Sequence, residues 1–187
     1  TSLVSTALAK CFLDAGLPAG LLSVLPGKGD VGGQIVQSPL TDLVSFTGGP
    51  AAGRAIAEAC AGRFKPVILE LGGKSPNIVF EDADLEAACK GVIDAIFASG
   101  GQSCVAGSRL LVEKSVHGKF VDMLIRKAEA MTAGDPFDAK SDIGPMASFE
   151  QRERVESYVA LAREEGGNIL AGGARPQGGD YDKGAYY

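Results

Sequence analysis

Apolar and polar positions along this chain follow two periods in turn, one helical and one extended. Residues 2–15 place Val4, Ala7, Leu8, Cys11 and Phe12 at helical spacing, with Gly16 as a C-terminal stop. Residues 21–25 read as a short apolar strand closed by Pro26-Gly27. A short helix around 32–37 follows, then a strand over 43–46. A helix runs from Pro50 to about Cys60, with proline in its first turn. Residues 67–71 form a buried strand.

The pattern restarts after the glycine pair Gly72-Gly73. Residues 77–80 predict a strand, and Asp84 is placed to cap a helix ending at Phe97. Another strand covers 109–113, and an amphipathic helix covers 118–132. Gly134-Asp-Pro-Phe137 is a turn in which Asp135 and Asp138 are turn residues. A helix with a charged, solvated face spans about 148–165, and 169–171 suggests one further strand. Strands alternating with helices imply an α/β fold with a mostly parallel sheet covered on both faces. The glycine pair divides it into two partial domains, 1–72 and 73–187.

Composition narrows the class. The 187 residues are 45% hydrophobic and 22% charged, as in a globular protein that buries a core without disulfides. A net charge of −5 argues against nucleic acid or an anionic membrane as partner. No apolar run is long enough to span a bilayer, and no charged-then-apolar leader is present. The four cysteines are Cys11, Cys60, Cys89 and Cys104. None forms a CxxC pair, and a single histidine does not complete a usual zinc site, so no metal is expected. Cys11, Cys60 and Cys89 fall in helical patterns as small buried hydrophobes, which suits a reducing, cytoplasmic setting.

Cys104 is different. It sits in Gly100-Gly-Gln-Ser-Cys104, on a bend between a predicted helix and a predicted strand, where its sulfur is free to reach a substrate. Glu70 offers a carboxylate at a strand end beside Gly72-Gly73. The bland reading pairs Glu70 with Lys65, Lys74 or a backbone amide; the chemical one makes it a general base. A thiol needs activation at neutral pH, and His117 could in principle form a Cys–His dyad, although its place at a helix mouth suits a surface residue better.

Three glycine patterns bear on phosphate binding. Gly27-Lys-Gly29-Asp-Val-Gly32 matches G-x-G-x-x-G but lacks a clear following strand with an acidic ribose partner. Gly72-Gly73-Lys74-Ser75 fails as a phosphate loop, because Pro76 blocks the helix that should follow. Thr47-Gly48-Gly49-Pro50-Ala-Ala-Gly53 runs from a strand into a helix start, where free amides favour anions; an ordinary strand–helix turn stays equally open.

Taken together, Phe46-Thr-Gly-Gly49, Leu69-Glu-Leu-Gly-Gly-Lys-Ser-Pro-Asn77, Gly101-Gln-Ser-Cys-Val-Ala-Gly-Ser-Arg109, Gly134-Asp-Pro-Phe137 and Ile143-Gly-Pro145 resemble the NAD(P)-dependent aldehyde dehydrogenase superfamily. The order and spacing agree across essentially the whole chain. The resemblance implies the later half of a Rossmann-like cofactor domain followed by the first half of an α/β catalytic domain. It implies Cys104 as nucleophile, Glu70 as the base that activates hydrolytic water, and NAD or NADP as cofactor. The presence of Glu70 favours release of a free acid over transfer of the acyl group to coenzyme A.

The family's phosphate contact falls on Gly48 and Gly49, with Gly49 standing where a serine is usual. Gly29 and Gln34 fall near its adenine pocket, and Leu71 and Gly72 approach its nicotinamide end. Other parts of the family's pocket fall outside the 187 residues: an oxyanion-hole asparagine, the groups on the adenosine ribose and a glutamate on the nicotinamide ribose. The expectation is therefore a central piece, inactive alone, of an enzyme that is a homo-dimer or homo-tetramer when full length and acts on a small aldehyde. The rival classes are a Cys–His hydrolase or acyltransferase using Cys104 and His117, and a non-catalytic protein on the same scaffold.

Overall fold

The computed structural model describes residues 2–187. Its helices are α1 (Ser2–Asp14), α2 (Gly29–Gln37), α3 (Pro50–Ala61), α4 (Leu85–Phe97), α5 (His117–Glu129) and α6 (Phe149–Glu164). Its strands are β1 (Val44–Gly48), β2 (Val67–Leu71), β3 (Pro76–Val79) and β4 (Arg109–Val112). Single 3₁₀ turns cover Ala98–Gly101 and Gly179–Lys183. The chain folds as two compact units, the first ending at Leu71 and the second beginning at Gly72.

In the first unit β1 and β2 pair in parallel, in a register running from Val44 opposite Val67 to Gly48 opposite Leu71. Parallel strands need a crossover, and α3 supplies it. Pro50 occupies the start of α3, where its missing N–H costs nothing. Val36 of α2, Val44 of β1 and Cys60 of α3 make the core, with Phe46, Ile56 and Val67 packed against them. Lys65, on the turn before β2, donates from Nζ to the carbonyls of Val36 (2.6 Å) and Ser38 (3.0 Å) and so closes the C-terminal end of α2.

The second unit repeats the plan. β3 and β4 pair in parallel from Pro76 opposite Arg109 to Val79 opposite Val112, with α4 as the crossover. Asp84 caps α4, accepting from the amides of Glu86 and Ala87 at 3.1 Å each. Val79, Cys89, Val92 and Phe120 form the core, flanked by Leu110, Val112, Met123 and Leu124. Phe120 of α5 is fully buried, worth about 1.5–3 kcal/mol in water-to-core transfer.

Several expectations do not hold. Residues 21–25 form no strand: no described strand pairs with them, and Leu21 and Leu25 are exposed. Backbone groups without a ladder partner stay irregular and solvated. Residues 169–171 likewise form no strand. α5 stops at Glu129, short of 132, because the next residues are drawn into another pairing. The Thr132 amide donates to the Asp142 carboxylate at 2.7 Å, and the amides of Asp142 and Ile143 donate to the Thr132 carbonyl. Cys11 is exposed, unlike Cys60 and Cys89, because no residue of α1 is buried within the described chain. Ala185 and Tyr186 are buried, and the Met146 amide donates to the Ala185 carbonyl at 2.9 Å.

Candidate active site

Glu70 lies one residue from the C-terminal end of β2, opposite Thr47 of β1. It is exposed, while Leu69 and Leu71 on either side are half-buried, as strand alternation dictates. Lys65, one of the partners considered for it, spends its ammonium on the carbonyls of α2, and Lys74 donates to the Gly73 carbonyl. Glu70 thus belongs to the carboxyl ends of a parallel strand pair, where α/β sheets bind ligands.

The same edge carries Gly48, Gly49 and Leu71. Gly49 caps α3 in extended backbone (φ −81°, ψ 155°) without a side-chain bond. Pro50 follows, and no acidic side chain stands in the first turn. A Cβ added at Gly49 would meet nothing within 4 Å, so this helix end is open to an anion. Gly48 has a different reason to lack a side chain: a Cβ there would lie 2.4 Å from the Phe46 ring. Gly53 lets α3 approach β2 closely, since a Cβ would come within 2.8 Å of Leu71 Cδ2. Leu71 is thereby fixed beneath α3.

Gly29 and Gln34 sit on α2, both exposed. Gly29 opens that helix, but Asp30 places a carboxylate in its first turn. Negative charge there opposes a second anion, so the G-x-G-x-x-G match is the poorer phosphate site of the two.

In the second unit Cys104 lies on an exposed turn after a tight bend. Ser99, Gly100 and Gly101 all take positive φ (54°, 61° and 73°), which turns the chain sharply out of α4. The loop is then tied down from three sides. The Gly73 amide donates to the Cys104 carbonyl at 3.1 Å. Asn77 Nδ2 donates to the Gly107 carbonyl at 3.0 Å, and Arg109 Nε donates to the Lys74 carbonyl at 2.8 Å. The stretch 73–77 therefore acts as a rail along which the cysteine loop is stitched. Gly72 precedes that rail and is exposed, with open space where a Cβ would lie.

His117 is the first residue of α5 and is exposed. Sequence reasoning singled out Cys104, Glu70 and the glycines, but it did not find Asn77, Arg109 or Gln102 as tethers. Their signal is a contact with a partner 30 or more residues away, which no local period carries.

The whole chain, residues 1–187, matches the model of the aldehyde dehydrogenase family. It is 42% identical to a betaine aldehyde dehydrogenase of Bacillus subtilis (strain 168) and equally to one of Brucella ovis, over all of this chain in both cases. The chain spans 38% of the length of those curated relatives. Among solved structures, PnpE in complex with nicotinamide adenine dinucleotide superposes with a TM-score of 0.96 at 41% identity. A variant betaine aldehyde dehydrogenase from Staphylococcus aureus in complex with NAD+ superposes with a TM-score of 0.96 at 38% identity. Each structure matches all of this chain, which covers 38% of theirs.

Proposed function

The chain belongs to the aldehyde dehydrogenase family, and on that premise we propose that it carries the nucleophile and the general base of an NAD(P)-dependent oxidation of an aldehyde to its carboxylic acid. The observation that carries this reading is the exposed Cys104 on a loop whose carbonyl is pinned by the Gly73 amide. A nucleophile must be accessible and still, and this one is both.

Cys104 Sγ, as thiolate, attacks the carbonyl carbon; a C–S bond forms, and the carbonyl oxygen becomes an oxyanion that the Cys104 backbone amide helps to hold. The cofactor, when bound, supplies the hydride acceptor for this adduct. Cys104 is then left as a thioester. Glu70 takes a proton from water, whose oxygen attacks the acyl carbon; the C–S bond breaks, the acid leaves, and the thiolate returns. Gly48, Gly49 and the start of α3 take the cofactor's phosphates, with Gly29 and Gln34 toward the adenine and Leu71 and Gly72 toward the nicotinamide. Residues 1–72 thus serve cofactor binding and 73–187 catalysis, in a protein that assembles as a homo-dimer or homo-tetramer. All four cysteines are free thiols, which supports a reducing, cytoplasmic setting.

The test is aldehyde-dependent NADH formation by a protein carrying this chain, with betaine aldehyde, the substrate named in the relatives, assayed first. Cys104→Ser and Glu70→Gln are each expected to remove turnover, and Glu70→Gln to leave an acyl-enzyme detectable by mass. His117→Ala is expected to retain activity; its collapse to the level of Cys104→Ser would instead favour a Cys–His dyad.

A further inference from the structure

We propose that Gln102 is a positioning residue for Cys104, through the two ends of its carboxamide. Its Oε1 accepts from the Ala147 amide at 2.9 Å, and its Nε2 donates to the Ser99 carbonyl at 3.2 Å. The Gln102 backbone amide donates to that same carbonyl at 3.2 Å. One side chain thus closes the positive-φ bend on itself and ties it to a segment 45 residues away.

That segment is itself fixed. Ile143 pairs with Ala133, and the Gly134 amide donates to the Ile143 carbonyl at 2.9 Å. Met146 donates to Ala185, whose neighbour Tyr186 packs edge-on against Tyr181 at 5.2 Å between ring centres. Tyr181 in turn donates from its hydroxyl to the Ala133 carbonyl at 2.8 Å.

Gly100 of the bend also lines an open pocket of about 590 Å³, together with Phe97, Met131, Ile143 and Met146. Cys104 therefore stands between two anchors, the Gln102 carboxamide before it and the Gly73 amide on its own carbonyl. The carboxamide serves both partners, whereas a carboxylate has no donor for Ser99 and an ammonium no acceptor for Ala147.

The inference rests on Cys104 being the nucleophile, and the test separates the two ideas. In a protein carrying this chain, kcat, the KM for NAD and the melting temperature are measured for Gln102→Ala, Gln102→Glu and Cys104→Ser. Gln102→Ala is expected to lower kcat by about tenfold to a hundredfold, the scale of a nucleophile displaced by up to about 1 Å, with the KM for NAD nearly unchanged. Gln102→Glu keeps the acceptor for Ala147 and should fall between Ala and wild type. Unchanged kcat in Gln102→Ala, or equal losses in kcat, cofactor binding and melting temperature, overturn the proposal. Should the Ala variant not fold, wild-type kcat in Gln102→Glu overturns it alone. Activity in Cys104→Ser overturns the nucleophile itself; an inactive Cys104→Ser beside a fully active Gln102→Ala overturns only the role of Gln102.

Discussion

The amide of Gly73 donates to the carbonyl of Cys104 at 3.1 Å, and a Cβ on Gly73 would come within 2.9 Å of that same oxygen. The obstacle is backbone, which has no flexible tip to swing aside. Gly73→Ala should therefore displace the Cys104 loop and lower kcat by about a hundredfold, the cost expected of a misplacement near 1 Å. Steady-state kinetics with a melting curve checks this. A variant with wild-type kcat would show that the loop tolerates the shift.

Gly49 offers the opposite experiment. Its extended backbone suits an N-cap, and there is open space for a side chain. Gly49→Ser adds a hydroxyl that accepts from a first-turn amide or donates to a bound phosphate. Helix stability should rise by only a few tenths of a kcal/mol. The KM for NAD should fall by about threefold, the worth of one modest hydrogen bond, with kcat little changed. Titration of the cofactor against both forms measures it.

The thiols should sort by burial. Iodoacetamide applied to the native chain should modify Cys11 and Cys104 and spare Cys60 and Cys89, with all four reacting in denaturant. Peptide mass mapping reads the sites. Rapid native modification of Cys60 or Cys89 would contradict the packing of the two cores.

Burial also pushes the Cys89 thiol above its ordinary pKa, with the Lys127 ammonium opposing in part. The sign follows from linkage. Above about pH 8.5 the unfolded chain ionises this thiol while the folded chain keeps it neutral. The stability it contributes is complete below that pH and is lost as pH rises through the folded pKa. The urea midpoint should fall on raising the pH through this range, and Cys89→Ala should flatten the fall.

Phe64 is bulky, almost fully exposed and held at φ 53°, a conformation that L side chains adopt at a cost of about 1–2 kcal/mol. Phe64→Asn, which tolerates that backbone, should stabilise the protein by up to about 1 kcal/mol. Equilibrium denaturation checks the direction; a loss of stability would mean that the ring makes an interaction outside the described residues.

Much of the framework is written in local pattern. Asp84 before Leu85, Pro50 after Gly49, and the strand patterns at 67–71 and 109–113 each act through neighbours a few residues away. They could be read directly, and the structure places α4, α3, β2 and β4 there. Cys104 and Glu70, the proposed nucleophile and base, stand out for the same reason, as a thiol and a carboxylate beside glycines in short contiguous motifs.

The tertiary structure alone decided which of those patterns found partners. The apolar run 21–25 stayed irregular because no strand lies beside it, and Cys11 stayed exposed because no described residue covers α1. The tethers of the cysteine loop were equally invisible. Asn77 reaches Gly107 across 30 residues and Gln102 reaches Ala147 across 45. Periodicity and capping report the energy of a chain against its own near neighbours; a hydrogen bond between distant segments exists only after the fold has brought them together. The proposed reactive residues could be picked out of the sequence, and the tethers of the Cys104 loop came from the fold.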